Sequence, residues 1–173
     1  MIGKAALAAL RTRAETVDPS PYMDDVLRYA LVRLGSREDA EDVAAQVYHA
    51  ATRLRECEDL RLYLLGIARR KVADAMRRRR RTPRTRSLAE PGFEPGRGPD
   101  IESVHRRAAV ADVLRQLSDE HREALALKYL VGLSAAEIAD LTDRTPTAVN
   151  SLLQRAREAF AAAAGDRVAE DTL

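Results

Sequence analysis

The sequence predicts an all-α protein of two small helical domains joined by a flexible linker. Apolar residues recur every three or four positions along most of the chain, which is the spacing of an amphipathic helix. The 173 residues are rich in Ala, Leu, Arg and Glu, include no Trp and are only 4% aromatic, a composition that favours helices over sheets. A Pro- and Gly-rich stretch interrupts the pattern, so the domains are predicted at 20–81 and 101–165.

Three helices are predicted in the first domain, after an N-terminal extension over 1–19. Gly35 ends the first helix and Ser36 caps the second, because glycine tolerates the left-handed helix end and a serine hydroxyl accepts a hydrogen bond from the next turn. The third helix runs from about Leu60 to Arg81, with an apolar first half and a basic second half. The apolar face of the second helix is predicted to be buried, and it holds Ala40, Val43, Ala44, Val47, Tyr48, Ala51 and Leu54.

A linker and a second helical domain follow. Residues 82–100 contain four prolines and three glycines, and such a segment is predicted to be extended and disordered in isolation. In the second domain, Ser118 caps a helix that is predicted to end at Gly132. The last helix is predicted to end at Gly165, which leaves a polar tail over 166–173.

The second domain ends in a predicted helix-turn-helix. Ser134 and Glu137 have the spacing of a capping box, and the apolar pattern breaks over 142–144. Thr145 caps the next helix, whose first position is Pro146, where a missing N–H does no harm. Such a helix suits a DNA major groove, although an ordinary helical hairpin remains the alternative. Its outward polar side chains are Thr147, Asn150, Ser151, Gln154 and Arg155.

The charge is distributed unequally between the two halves of the chain. Residues 1–100 hold 20 Lys and Arg against 15 Asp and Glu, a net of +5, whereas residues 101–173 hold 9 against 12, a net of −3. The arginine run 77–81 is interpreted as a surface for phosphates, or alternatively as a solvated helix end that complements the helix dipole. Basic residues at 69–71 extend this surface along the helix and favour nucleic acid.

Two other groups have open interpretations. Tyr63 lies on the basic helix, where it either stacks on an unpaired base or packs in the core. Three carboxylates open the second helix, and they either complement the helix dipole or form a docking surface for a basic partner protein. These carboxylates belong to Asp39, Glu41 and Asp42.

Several classes of protein are not expected. No glycine-rich phosphate loop, serine elbow or metalloprotease motif is present, so the sequence does not predict an enzyme or a cofactor. Cys57 is the single cysteine, and no Cys/His cluster has zinc spacing, which fits a reducing compartment. No stretch reaches the length of a membrane span, and a cytoplasmic protein is predicted.

Three segments, taken together, resemble the small sigma factors of bacterial RNA polymerase, of the extracytoplasmic-function type. Residues 36–48 (SREDAEDVAAQVY) resemble the part of sigma region 2 that docks on the polymerase clamp. Residues 60–80 (LRLYLLGIARRKVADAMRRRR) resemble the helix that opens and reads the promoter element near minus ten, and residues 114–157 resemble region 4, which reads the element near minus thirty-five. The order and spacing of the three segments make the resemblance specific.

The resemblance implies binding to core RNA polymerase and to promoter DNA, and it makes an anti-sigma factor plausible as a further partner. Polymerase docking is implied for Asp39, Glu41, Asp42 and Gln46. Downstream promoter contact is implied for Glu56, Tyr63, Arg69, Arg70, Lys71, Asp74, Arg77 and Arg78. Upstream promoter contact is implied for Arg144, Thr145, Thr147, Asn150, Ser151, Gln154 and Arg155.

The chain also departs from the family pattern. Tyr63 stands where the family usually has tryptophan, and Asp143-Arg144 stand in a turn that normally carries glycine and an aliphatic residue. The prediction is therefore an alternative sigma factor whose promoter binding depends mainly on its first domain and on the polymerase. Two alternatives are a sigma-like mimic that sequesters an anti-sigma regulator and a stand-alone helix-turn-helix repressor.

Overall fold

The computed structural model describes residues 17–54, 56–81 and 101–170, with the side chains of 108–165 in the last range. All regular structure within these ranges is helical, which confirms the predicted fold class. Residues 1–16 of the N-terminal extension and the linker 82–100 lie outside the described residues.

In the first domain a 3₁₀ turn leads into three helices. The turn is Ser20–Tyr22, and the helices are α1 (Met23–Leu34), α2 (Arg37–Ala51) and α3 (Leu60–Arg81). The predicted boundary between α1 and α2 is confirmed, because Gly35 adopts a left-handed φ of 63° and the Ser36 hydroxyl accepts a hydrogen bond from the Asp39 N–H.

The core of this domain lies between the three helices and differs from the prediction at two places. Most of the predicted α2 face is buried, but Tyr48 is 44% exposed, so its assignment to the core is wrong. The side chain stands at the edge of the apolar stripe, where the core no longer covers it. Tyr29 and Arg33 of α1 are buried although no apolar pattern predicted it, because both face the second domain.

The second domain contains four helices, namely α4 (Ile101–Gln116), α5 (Asp119–Leu125), α6 (Ala135–Thr142) and α7 (Pro146–Glu170). The cap at Ser118 is confirmed by a hydrogen bond from the His121 N–H. After α5 the chain widens into a π-helical turn, Ala126–Leu130, instead of continuing as the predicted α-helix. Gly132 follows with a φ of 82°, a conformation that glycine adopts without strain.

The helix-turn-helix prediction is confirmed at the level of backbone geometry. The Ser134 hydroxyl accepts from the Glu137 N–H, and the Glu137 carboxylate accepts from the Ser134 N–H at 2.6 Å. Asp143 occupies the left-handed position of the turn, with a φ of 56°. The Thr145 hydroxyl caps α7 by accepting from the Ala148 N–H at 3.2 Å.

The end predicted for the last helix is wrong, because α7 continues through Gly165 to Glu170. Four alanines precede this glycine and Arg167, Ala169 and Glu170 follow it, all of them good helix formers, and an interior glycine costs a helix only about 1 kcal/mol. Glycine permits a helix end without enforcing one. The first five residues of the predicted tail are therefore helical.

The two domains pack against each other, an arrangement that the sequence left open. Buried residues of α1, α2 and α3 belong to one continuous apolar cluster with buried residues of the second domain. At Gly66 of α3, a β-carbon would lie 3.7 Å from Cδ1 of Leu141 on α6. A β-carbon there would make ordinary van der Waals contact with Leu141, and only a longer side chain would enter the space of α6.

Candidate protein and nucleic-acid interfaces

The acidic residues at the start of α2 form a largely exposed surface. Glu41, Asp42 and Gln46 are exposed, and Glu41 accepts a hydrogen bond from Arg37 Nε at 2.8 Å. Asp39 is less accessible, because its carboxylate pairs with the guanidinium of Arg79 on α3. Of the four residues predicted to dock a basic partner, Asp39 is thus already engaged within the domain.

One face of α3 is exposed and predominantly basic. Residues spaced at 7, 11, 14 and 15 positions from Tyr63 lie on one side of an α-helix, because each full turn takes 3.6 residues. Tyr63 is 41% exposed, which overturns its interpretation as a core residue. The exposed row, which we call the α3 strip, consists of Tyr63, Arg70, Asp74, Arg77 and Arg78.

The arginine run itself divides into two structural roles. Arg77 lies on the α3 strip and pairs with Asp74, and this hydrogen bond lowers the pKa of the Asp74 carboxyl. Arg79 points back into the first domain and donates to the Leu34 carbonyl at 2.6 Å, which satisfies a carbonyl at the end of α1. Only part of the run is therefore available to an outside partner.

The remaining residues predicted to meet downstream DNA are placed differently. Glu56 is exposed in the link before α3, whereas Lys71 is half-buried. Arg69 points away from the α3 strip and donates from Nε to the carboxylate of Glu123 at 3.0 Å. Arg69 is thus held by the second domain in this structure.

The polar residues of the helix-turn-helix lie outward, as predicted. Arg144 in the turn pairs with Glu120 of α5, and this hydrogen bond lowers the pKa of the Glu120 carboxyl. The predicted exposed residues of α7 and its cap are all accessible, namely Thr145, Thr147, Asn150, Ser151, Gln154 and Arg155. Four of them line one open groove, together with residues from the π-helical turn.

Sequence reasoning missed the other wall of this groove. Lys128, Tyr129 and Arg157 complete its lining together with Leu153, and Tyr129 is 58% exposed. The π-helical turn sets the direction of Lys128 and Tyr129, and apolar periodicity gives no signal for such a turn. The groove therefore combines two cationic side chains and an aromatic ring with the amide and hydroxyl groups of α7.

A second missed feature is the cluster of polar contacts between the domains. Glu123 of α5 is only 15% exposed and accepts hydrogen bonds from Tyr29 Oη, at 2.7 Å, and from Arg69. Burial, followed by the nearby charge of Glu123, raises the pKa of the Tyr29 hydroxyl. Arg33 donates to the Asp119 carbonyl, again from the first domain to the second. The sequence signal for these contacts was the opposite net charge of residues 1–100 and 101–173.

Neither a cluster of metal-binding side chains nor a membrane-spanning helix is found in the described part of the chain. No group of three or more His, Cys, Asp and Glu residues there is arranged to hold a metal ion. None of the described helices is long and apolar enough to cross a membrane.

Two family models match separate parts of the chain. A family model of sigma-70 region 2 matches residues 20–82, and one of sigma-70 region 4 matches residues 107–160. The chain is 34% identical over 172 residues to the ECF RNA polymerase sigma factor SigD of Mycobacterium tuberculosis, a match that covers 90% of this chain and 78% of SigD.

Two further relatives are considerably longer than this chain. The ECF RNA polymerase sigma factor BldN of Streptomyces coelicolor is 32% identical over 144 residues, which cover 78% of this chain and 54% of BldN. The sigma factor SigG of Mycobacterium tuberculosis is 30% identical over 168 residues, which cover 79% of this chain and 45% of SigG. The chain thus spans about half the length of these two relatives.

Solved structures share the fold. The sigma factor RpoE of Bartonella quintana, in complex with the anti-sigma factor NepR, superposes with a TM-score of 0.68 at 18% identity, over 84% of this chain and 92% of RpoE. CnrH, in complex with the cytosolic domain of CnrY, gives a TM-score of 0.57 at 21% identity, over 93% of this chain and 88% of CnrH.

Proposed function

Because this chain belongs to the extracytoplasmic-function type of the sigma-70 family, we propose that it is an alternative sigma factor acting in the cytoplasm. It binds core RNA polymerase, directs it to a two-part promoter and helps to open the downstream element. The chain supplies no chemistry of its own, since the polymerase forms the phosphodiester bonds.

The exposed α3 strip is the observation that carries this proposal. Its arginines neutralise phosphates, and such contacts provide much of the affinity of a protein for DNA. Tyr63, at the opposite end of the strip, offers an aromatic face on which an unpaired base stacks. One helix face thus combines the two interactions that favour a melted strand over a closed duplex.

Melting needs no energy source beyond these contacts. Extruding a base costs a few kcal/mol in lost stacking and pairing, and stacking on an aromatic ring returns about 1–3 kcal/mol per base. Phosphate contacts from Arg70, Arg77 and Arg78 add to this, because the α3 strip presents all three toward solvent. Capture of unpaired bases therefore shifts the equilibrium toward the open promoter.

The two other surfaces have complementary roles in the proposal. The exposed acidic residues of α2 dock on a basic surface of the polymerase. The polar residues of α7 enter the major groove of the upstream element, and Lys128, Tyr129 and Arg157 flank them at the groove. An anti-sigma protein is a further partner in this proposal, since the superposed RpoE structure contains the anti-sigma factor NepR.

Run-off transcription tests the function directly. Purified core RNA polymerase is given a genomic fragment library with and without this protein, and new defined transcript starts are expected only in its presence. Aligning those starts yields both promoter elements. A polymerase that binds the protein and yet gains no defined start would overturn the proposal.

Charge reversal at Asp42 is expected to weaken binding to core polymerase by at least tenfold. This carboxylate is exposed near the start of α2, and an Asp42→Arg variant replaces an attraction to a basic surface with a repulsion. Binding is measured by fluorescence anisotropy of the labelled protein. Asp24→Arg is the control, because Asp24 lies on α1 with a side chain 84% exposed. Equal affinities of the two variants would exclude docking through α2.

Removing two arginines from the α3 strip is expected to reduce open-complex formation. Arg77→Ala with Arg78→Ala deletes two phosphate contacts, which lowers the slope of log affinity against log salt concentration by about one to two units. Permanganate footprinting of the promoter measures the yield of open complex. Arg28→Ala with Arg53→Ala removes the same charge from exposed positions elsewhere. An unchanged yield of open complex in the Arg77/Arg78 variant would mean that this end of α3 is a solvated helix end and does not contact DNA.

A further inference from the structure

We propose that Gln154 and Asn150 of α7 read two adenines of the upstream promoter element, and that Glu158 orients the Gln154 amide for this contact. The inference rests on the proposed function and adds the base preference of the α7 surface. It concerns direct hydrogen bonds to base edges in the major groove, where adenine presents a pattern that no other base shares. Glu158 is a positioning residue, because it acts through Gln154 and does not touch the base.

Gln154 lies in the middle of the outward face of α7, with an arginine on each side. Because an α-helix turns by about 100° per residue, Arg155 lies about 100° from Gln154 around the axis and Arg157 about 60° in the opposite direction. Both arginines are exposed, and Arg155 Nε donates to the Ser151 carbonyl at 3.3 Å. Phosphates line the two walls of a major groove, so the arginines suit the walls and the Gln154 amide suits the base edges between them.

A hydrogen bond fixes the orientation of the Gln154 amide. Gln154 Nε2 donates to Glu158 Oε1 at 3.1 Å, between exposed side chains one helical turn apart. An ionised carboxylate only accepts hydrogen bonds, so it faces the NH₂ group of the amide and not its carbonyl oxygen. The contact therefore prevents the amide oxygen and nitrogen from exchanging places. One N–H and the carbonyl oxygen of Gln154 stay available to a partner.

The remaining donor and acceptor of Gln154 match adenine. In the major groove adenine presents an acceptor, N7, beside a donor, the N6 amino group, and these pair with one N–H and one carbonyl oxygen. Guanine presents two acceptors, N7 and O6, and would place O6 against the Gln154 carbonyl oxygen. Cytosine and thymine each offer only one matching group. The oriented amide thus selects adenine over the three other bases.

Asn150 offers a second amide on the same face. It is exposed one turn before Gln154, about 6 Å along the axis, and both side chains line the open groove beside the π-helical turn. Asparagine is a poor helix former, and the cap of α7 is Thr145, so neither helix stability nor capping explains an asparagine at this position. Because stacked base pairs are about 3.4 Å apart, the two amides reach bases no more than two steps from each other.

Transcription from a randomised upstream element tests the base preference. Holoenzyme assembled from core polymerase and the full chain receives promoters found by run-off transcription, with the upstream element randomised and a barcode in each transcript that identifies its template. The parent protein is expected to favour adenine at two positions no more than two base pairs apart. Each preference should be about fivefold to 150-fold, the range for one bidentate contact. Transcripts without any adenine preference would overturn the inference and leave the sigma function intact, whereas a complete lack of run-off transcripts would remove both.

Three substitutions assign the two positions to the two amides. Gln154→Ala is expected to abolish the adenine preference at one position and Asn150→Ala at the other. Asn150→Arg is expected to convert adenine to guanine at its own position, because a guanidinium supplies the two donors that N7 and O6 accept. This change of preference cannot arise from misfolding. Gln116→Ala is the matched control at an exposed amide on α4, and it should keep both preferences. Alanine variants of Gln154 and Asn150 that keep both preferences as well would contradict base reading by α7 amides.

Variants of Glu158 separate orientation from charge. Glu158→Ala and Glu158→Gln remove the same negative charge, but only the glutamine keeps an oxygen that accepts from Gln154. Glu158→Ala is expected to weaken the adenine preference at the Gln154 position about fivefold, the contribution of one hydrogen bond, and to leave the Asn150 position unchanged. Glu158→Gln is expected to restore the preference. Equal preferences in the two variants would mean that this pair only stabilises α7, which would overturn the positioning role of Glu158.

Discussion

Replacing Leu127 with alanine is expected to lower the free energy of unfolding by about 2–5 kcal/mol. The Leu127 side chain is completely buried at the π-helical turn, in the apolar cluster that both domains share. Deleting it removes apolar burial and leaves a cavity that the packed helices fill only in part. Urea unfolding measures this loss of stability directly, provided that the slope of the unfolding free energy against urea concentration is the same in both proteins.

Val110→Ala on α4 is the matched control, because Val110 is 46% exposed and its truncation is expected to cost less than about 1 kcal/mol. Because the two domains share this apolar cluster, the Leu127→Ala substitution is also expected to affect the first domain. Hydrogen exchange in α1 of the first domain should quicken in Leu127→Ala, since closed domains protect each other. A Leu127→Ala protein as stable as Val110→Ala would contradict the packing described for the second domain.

Stability is expected to fall as the pH rises above about 10, and Tyr29 is the cause. Tyr29 is 1% exposed, and burial together with the Glu123 carboxylate raises the pKa of its hydroxyl well above the ordinary range. A raised pKa in the folded protein means that the unfolded chain loses this proton first. The stabilisation is therefore complete below about pH 10 and is lost at about 1.4 kcal/mol per pH unit above it.

The comparison of the parent protein with Tyr29→Phe isolates this residue. The variant lacks the hydroxyl and leaves Glu123 with one donor fewer, which costs about 1 kcal/mol at neutral pH. The Tyr29→Phe variant lacks this pH-dependent loss. The stability advantage of about 1 kcal/mol that the parent has at neutral pH therefore shrinks above pH 10 and is gone by about pH 11. Urea unfolding of both at pH 9, 10 and 11 measures that difference, and parallel profiles would exclude a buried Tyr29 hydroxyl.

The α3 strip is exposed although the two domains pack against each other, whereas Arg69 beside the strip is held by Glu123.

Local chemistry was sufficient to determine the secondary structure at most boundaries. The left-handed Gly35 and Asp143 and the reciprocal hydrogen bonds of Ser134 and Glu137 follow from groups within one turn of each other. The exposure of the α7 polar residues also followed from helical spacing alone. Gly165 was predicted wrongly for the same reason, because a glycine ends a helix only where the following residues leave the helical path.

The sequence predicted which residues belong to the candidate site, but it did not predict which of them are accessible. The order of the acidic, basic and helix-turn-helix segments predicted which side chains are candidates for contact with partners. Which arginines are available depended on distant residues, since Arg79 turned toward Leu34 and Asp39, and Arg69 toward Glu123. Periodicity along one helix contains no information about the helix that will lie beside it.

The sequence by itself therefore determined most of the helices, their caps and the family. Only the tertiary structure decided that the domains close on each other, that Tyr29 and Arg33 are buried between them, and that Glu123 holds Arg69. Tyr29 and Glu123 are 94 positions apart in the chain. A contact over that distance forms only when whole helices pack, and the packing energy that selects it is spread over many buried side chains from both domains.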